Sequence, residues 1–308
     1  MIQSTEYHDK EMECQLTFQR LGRCFHLWTP ENFEIIFTCD DDYKKGMDII
    51  GVCALACPEI RILTFELMSN HFHSTICGEE ADIIHYFALV KNSLIKVLRL
   101  EGRILAWDNF HEKHRQLADL NEMRNVIIYN NRNGYLVSPD HTPFTYPWGA
   151  NKYYFNPDSV RIAEEHSMQM TLREKRDAIR SHMADSISGP IRYDGYAFPP
   201  SFCDIKSGEQ LFHNASNYFH RLSRSIEWQK GIADEIGDSV FYTDDELFSI
   251  VCRMAKENYN VRILSSLPSS GKIELAKVMH FEYNASAKQI MRMLKLSFAT
   301  LSSLGIID

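Results

Sequence analysis

The sequence predicts an α+β fold: a single antiparallel sheet with helices on one side, followed by a mostly helical C-terminal region. Two observations predict it. Between about residues 20 and 150, short apolar runs of strand character alternate with longer runs of helical period, and near the end three helix-length segments follow one another, two of them opened by serines. A chain of 308 residues, 44% hydrophobic, has enough apolar side chains for two or three packed units.

The elements follow in order. "RCFHLWT" and "FEIIFTC" read as strands, with the acidic run Asp40, Asp41, Asp42 as a solvated turn before a helix over "YKKGMDIIGVCALAC". "IRILTFELM" and "HFHSTIC" are again strands. "ADIIHYFALVKNSLIKVLRL" is helical because Ile83, Phe87, Val90, Leu94 and Leu98 recur on one stripe. An irregular stretch leads to a helix over "LNEMRNVIIYNNRN", and the prolines of "SPDHTPFTYPWG" end the segment.

A less regular region follows, with one charged helix, "TLREKRDAIRSH", and a turn-rich "RYDGYAFPPSF" whose aromatics read as core. The last segment is more legible. "GKIELAKVMHFEY", "SAKQIMRMLK" opened by Ser286, and "SFATLSSLG" opened by Ser297 are three helices with tight links. That layout suits either a helix-turn-helix or a small helical bundle packed on a partner. The resulting division is 1–155, an accessory middle region 156–260, and a terminal module 261–308.

Composition excludes some classes. No apolar run approaches about 18 residues, and "MIQSTEYHDKEMECQ" lacks the basic start and apolar stretch of a signal peptide, so a soluble cytoplasmic protein is expected. The eight cysteines are scattered and read as reduced thiols. Cys53 and Cys57 could be drawn with His71 and His73 as a zinc site, but their spacing is loose for a knuckle. A net charge of −8 argues against a protein that simply coats nucleic acid. The charge is uneven: residues 1–150 carry −7, residues 151–308 carry −1, and the stretch 271–295 has a local excess of three bases.

The stretch "ELMSNHFHST" raises a chemical question. Side chains alternate across a strand, so His71 and His73 share a face with Phe72 on the other, at a separation that lets two imidazoles hold one ion. The competing reading is one hydrogen-bonded core histidine and one surface histidine. Two ligands are too few for a catalytic ion. The helix near residue 130 offers more: Tyr129 and Asn133, four residues apart, are neighbours on one face, with Val126 and Ile127 inward. An amide oxygen suits a hard divalent ion, although a packing tyrosine above a solvated asparagine is the plain alternative.

The run "TFELMSNHFHSTIC", followed some 55 residues later by "RNVIIYNNRNGYL" and then by "TYPWGANKYY", resembles the single-tyrosine HUH transposases, including their repeat-associated branch. "CFHLWTPENFEIIF" is similar to the family's histidine-containing first strand. The likeness covers roughly residues 20 to 155. Ser69 stands where proline is frequent, Gly134 replaces the usual proline, and the Arg-Gly common after the first strand is absent.

The resemblance implies a ferredoxin-like HUH nuclease sheet for residues 1–155. It implies Tyr129 as nucleophile, and His71, His73 and Asn133 as ligands of Mg²⁺ or Mn²⁺. The implied activity is nicking and rejoining of single-stranded hairpin DNA in a nucleoid-associated homodimer, by way of a 5′-phosphotyrosine. Two other classes stay open: a hairpin-binding regulator that has lost its chemistry, and a metal-dependent hydrolase. Candidate phosphate contacts are Lys96, Arg99 and Arg103, which fall within about a 60° arc if the helix runs to residue 103. Lys288 and Arg292 on the middle terminal helix are candidates for reading duplex DNA.

Overall fold

The computed structural model describes residues 2–137, 145–224, 244–261 and 264–306. Contacts divide the chain into two units, Met1–Ser225 and Ile226–Asp308. The first opens with α1 (Ile2–Leu21), which turns at Gly22 into β1 (Cys24–Trp28). The φ of +76° at Gly22 is one that residues with a Cβ rarely adopt. Then come α2 (Asp40–Ala56), β2 (Arg61–Leu67), β3 (Phe72–Cys77), α3 (Glu80–Leu100), β4 (Lys113–Gln116) and α4 (Leu120–Val137).

The four strands form one antiparallel sheet in the order β2-β3-β1-β4. In the two central strands every side chain is buried, so both faces of the sheet are covered. One face is apolar and meets α2 and α3. Phe72 stacks with Phe87 at 6.2 Å between ring centroids, and the expected stripe of α3 is buried, with Ile83, Phe87, Val90, Leu94 and Leu98 all at 4% exposure or less. Each such side chain contributes about 1.5–3 kcal/mol, and truncating Phe87 to alanine would cost about 3–5 kcal/mol.

The other face corrects the expectation of helices on one side. It presents His26, Thr64, Glu66, His73 and Thr75, all at most 1% exposed, and α4 lies across it. The stripe rule missed this because the residues of α4 that meet the sheet include Tyr129, Asn130 and Asn131, which carry no apolar pattern.

Other elements also depart from expectation. Residues 33–39 form no strand: the Ile36 and Phe37 amides both donate to the Ser69 carbonyl, each at 2.8 Å. The acidic run opens α2, and Asp42 is buried, accepting from the Thr38 amide at 2.9 Å and hydroxyl at 2.6 Å. β4, read as irregular, is a short edge strand of charged and polar residues, "KHRQ", without apolar alternation.

The middle region through residue 224 belongs to the first unit. The "YPWGA" segment runs beside β2, with the Leu67 amide donating to Trp148 O at 2.8 Å and the Ala150 amide to Phe65 O at 3.1 Å. Gly149 permits that approach, since a Cβ there would lie 2.8 Å from Phe65 O. Beyond it come α5 (Pro157–Glu165), β5 (Met168–Gln169), α6 (Leu172–Ile179), β6 (Ile191–Tyr193), β7 (Tyr196–Ala197), α7 (Ile205–Glu209) and α8 (Ala215–Arg224). β5, β6 and β7 form a second small sheet. Thr171 and Glu174 make a capping box that starts α6. Tyr196 and Phe198 are core, as expected.

The second unit contains α9 (Asp244–Tyr259), α10 (Ser269–Phe281), α11 (Ala287–Leu294) and α12 (Phe298–Ser303). Ser286 caps α11 in a capping box with Gln289, and Ser297 caps α12. Leu275, Met279, Ile290, Leu294 and Leu301 are its buried core. Among the described residues, no helix is long and apolar enough to cross a membrane.

Candidate active site

The sheet face beneath α4 is buried yet polar, an expensive arrangement unless its groups hydrogen-bond or serve chemistry. His73 on β3 is 0% exposed. His71 sits one residue before β3 at 6% exposure, in a turn closed by the Met68 amide donating to His71 O at 2.8 Å. The two rings are 5.1 Å apart between centroids and nearly perpendicular. Imidazoles sharing one ion at about 2.1 Å have centroids roughly 5 Å apart, so this spacing fits a common ion.

Tyr129 arrives from α4. Asp119 starts that helix by accepting from the Glu122 amide at 2.8 Å, and Val126, Ile127 and Ile128 are fully buried, which seats the turn carrying Tyr129 on the protein. Tyr129 is 1% exposed, with its ring edge-on to His73 at 5.6 Å and to His26 at 6.0 Å. The fold thus brings together His71, His73 and Tyr129. Asn133 lies on α4 four residues after Tyr129; its side chain is outside the described residues.

The layer holds residues the sequence reading did not single out. His26 on β1 is fully buried, stacks on His73 at 5.5 Å, and its Nε2 is 3.4 Å from His73 Nδ1. Glu66 on β2 is the register partner of His73 and 1% exposed. Asn70 holds His71, with its Oδ1 2.7 Å from the ring Nδ1, while its Nδ2 donates to the carbonyls of Phe33, at 3.1 Å, and Glu31. Asn130 donates to Thr75 Oγ1 at 3.0 Å. Alternation along "CFHLWT" places His26 on the face opposite Phe25 and Leu27. Only strand register shows which partner it meets, and sequence does not state register.

A second network ties α4 to the sheet and to α8. Thr64 donates to Asn131, Asn131 Nδ2 donates to Tyr218 Oη at 2.8 Å, and Tyr218 donates to Asn151 at 2.6 Å, joining β2, α4, α8 and the segment after "YPWGA". Such fully satisfied buried networks rigidify a core.

The candidate phosphate contacts lie in different surroundings. Lys96 and Arg99 are exposed on α3, Lys96 donating to Arg180 O at 3.4 Å. Arg103 is not on that helix face, because α3 ends at Leu100 and Gly102 turns the chain. Its guanidinium binds Asp42 at 2.9 Å and the carbonyls of Ile35 and Ile36, which makes it a clamp on the irregular segment. Lys288 and Arg292 are both exposed on α11, one turn apart. On the charged helix read from "TLREKRDAIRSH", Lys175 is buried and donates to Ile187 O, and Arg176 pairs with Asp185 at 2.7 Å.

The zinc grouping of Cys53 and Cys57 with the two histidines is not formed. Cys53 lies on α2 with its sulfur 3.9 Å from Ser93 on α3, across the sheet from His73, and burial pushes its thiol up to about 12. Among the described residues, one group of three His, Cys, Asp or Glu side chains has donor atoms within 4.8 Å: Glu11, Cys14 and His213. Arg124 occupies that place electrostatically. Its Nη1 and Nη2 donate to the two Glu11 oxygens at 2.9 Å each and hold the carboxyl down to about 2, so a divalent cation would face a buried guanidinium.

Set against protein-family models, curated proteins and solved structures, the chain matches none of them.

Proposed function

We propose that this chain nicks and rejoins single-stranded DNA in the manner of the single-tyrosine HUH transposases, with Tyr129 as nucleophile. The observation that carries the reading is the packing of Tyr129 against His73, two residues of separate motifs brought ring to ring in one buried polar layer. The β-α-β-β-α-β order and the strand order β2-β3-β1-β4 support it, since that combination is ferredoxin-like.

The donor set suits Mg²⁺ or Mn²⁺ if an oxygen joins the two imidazoles, and His71, His73 and Asn133 are the residues that would hold the ion. When bound, it would polarise a nonbridging oxygen of the scissile phosphate. The chain's own part is nucleophilic. Tyr129 Oη attacks phosphorus in line, the phenol gives up its proton, and the 3′-oxygen leaves and is protonated, so a 5′-phosphotyrosine replaces the phosphodiester. Attack by another 3′-hydroxyl reverses these steps, joins the new strand end and restores the tyrosine. The ester bond is conserved, so rejoining needs no ATP.

Tyr129 is 1% exposed and His73 fully buried, so a DNA strand reaches them only after the cover over the sheet is displaced. In the proposed homodimer, Lys288 and Arg292 of the terminal helices would add affinity for duplex DNA beside the hairpin. The same burial favours a second reading, a hairpin-binding regulator without chemistry.

Labelled single-stranded hairpins incubated with Mg²⁺ or Mn²⁺ test this. A denaturation-resistant protein–DNA adduct that is lost with EDTA and lost in Tyr129→Phe is expected. Hairpin binding without any adduct in the wild type would establish the regulator instead, and metal-dependent release of a free 5′-phosphate would establish a hydrolase.

A further inference from the structure

Asn70 touches one of the two histidines and His26 touches the other. Asn70 has its amide orientation set by what surrounds it: Nδ2 donates to the carbonyls of Phe33 and Glu31, which leaves Oδ1 facing the His71 ring at 2.7 Å. An oxygen that only accepts requires a donor opposite it, so His71 carries its proton on Nδ1 and keeps a lone pair on Nε2. His26 meets His73 ring to ring, Nε2 to Nδ1 at 3.4 Å with the rings stacked at 5.5 Å and 24°, a contact in which either ring could donate. Both His26 and His73 are fully buried, which holds the two rings in this contact.

We propose that Asn70 and His26 are positioning residues that hold His71 and His73 as Nδ1–H tautomers, so that both present Nε2 to one divalent cation. This rests on the strand-transfer reading above and goes beyond it, since neither residue touches the ion or the scissile phosphate. One proton lies between His73 and His26. With that proton on His73 Nδ1, His73 Nε2 is a ligand; with it on His26 Nε2, the lone pair of His73 turns toward His26 and the ligand is lost. In the proposed arrangement the proton sits on His73 Nδ1, and His26 Nε2 accepts the hydrogen bond. Partners that orient ligating imidazoles in this way typically sustain 10–100-fold in metal affinity.

The test uses the full-length chain with ¹⁵N-labelled histidine, at a pH where the imidazoles are neutral. Long-range ¹H–¹⁵N spectra of the metal-free wild type are expected to show protonated Nδ1 on both His71 and His73. Mn²⁺ titration by calorimetry is expected to show about 10–100-fold weaker binding in Asn70→Leu and in His26→Leu. His26→Gln, whose amide oxygen can still accept, is expected to bind within a few-fold of wild type, and circular dichroism identifies any variant that fails to fold. A purely structural role would weaken Leu and Gln variants alike.

Nε2–H on either ligand in the wild type, or unchanged Mn²⁺ affinity in folded Leu variants, overturns the proposal while Tyr129 adduct formation continues to support the reading beneath it. A wild type that binds no Mn²⁺ and forms no Tyr129 adduct overturns both.

Discussion

Arg124 is the cation whose removal should say most about how the Tyr129 helix is held. Its side chain is 4% exposed, and its guanidinium ties α4 to α1 through both oxygens of Glu11 and to Leu211 O. Arg124→Met keeps most of the volume and deletes the charge. Breaking a fully buried pair costs about 3–5 kcal/mol. Glu11 is 40% exposed and can rehydrate, so the expected loss is smaller, about 2–3 kcal/mol.

The pH dependence gives a sharper test. Arg124, aided by His213, holds the Glu11 carboxyl down to about 2 against its burial. A depressed carboxyl pKa stabilises the fold above the unfolded value and loses that stabilisation as pH falls toward the folded one, here from about 4.5 to about 2. Unscreened, that shift is worth about 3 kcal/mol; with Glu11 this exposed, about 1–2 kcal/mol is expected. Urea denaturation of both proteins near neutral pH and near about pH 3 should show the gap between them narrowing by roughly half at the acid end. A gap under about 0.5 kcal/mol at neutral pH, or one that does not change with acid, would refute the argument.

Three further outcomes are expected. Asp48 is 13% exposed, and burial outweighs Arg192 and the Ala197 amide to push its carboxyl up to about 6. A raised carboxyl pKa means the fold loses stability as pH climbs from about 4 to about 6, by at most about 3 kcal/mol, and Asp48→Asn should abolish that slope in urea titrations across this range. Tyr218→Phe removes the hydroxyl that accepts from Asn131 and donates to Asn151 in a fully buried place, so a loss of about 1–3 kcal/mol by denaturant melting is expected, and no loss would mean the network carries no weight. Ser286→Ala removes the α11 cap and should cost about 1 kcal/mol, seen as faster amide exchange in the first turn of α11; unchanged exchange there would count against the capping box.

Sequence by itself determined the elements whose signal is local. The stripe of α3, the pairs of apolar runs at β2 and β3, and the serine caps of α11 and α12 all depend on residues a few positions apart, where period and capping chemistry act. It also marked His71, His73 and Tyr129 as residues worth bringing together. Only the tertiary structure decided that they meet, because strand register and the seating of α4 arise from contacts among distant segments. The same reason explains what stayed hidden. α4 covers a polar face that no hydropathy pattern announces, Arg103 leaves its helix to clamp Asp42, and His26 and Asn70 acquire their roles from neighbours that sequence distance conceals. Local physics writes helices and strands into short windows, whereas a buried polar layer exists only once separate elements have excluded water from it together.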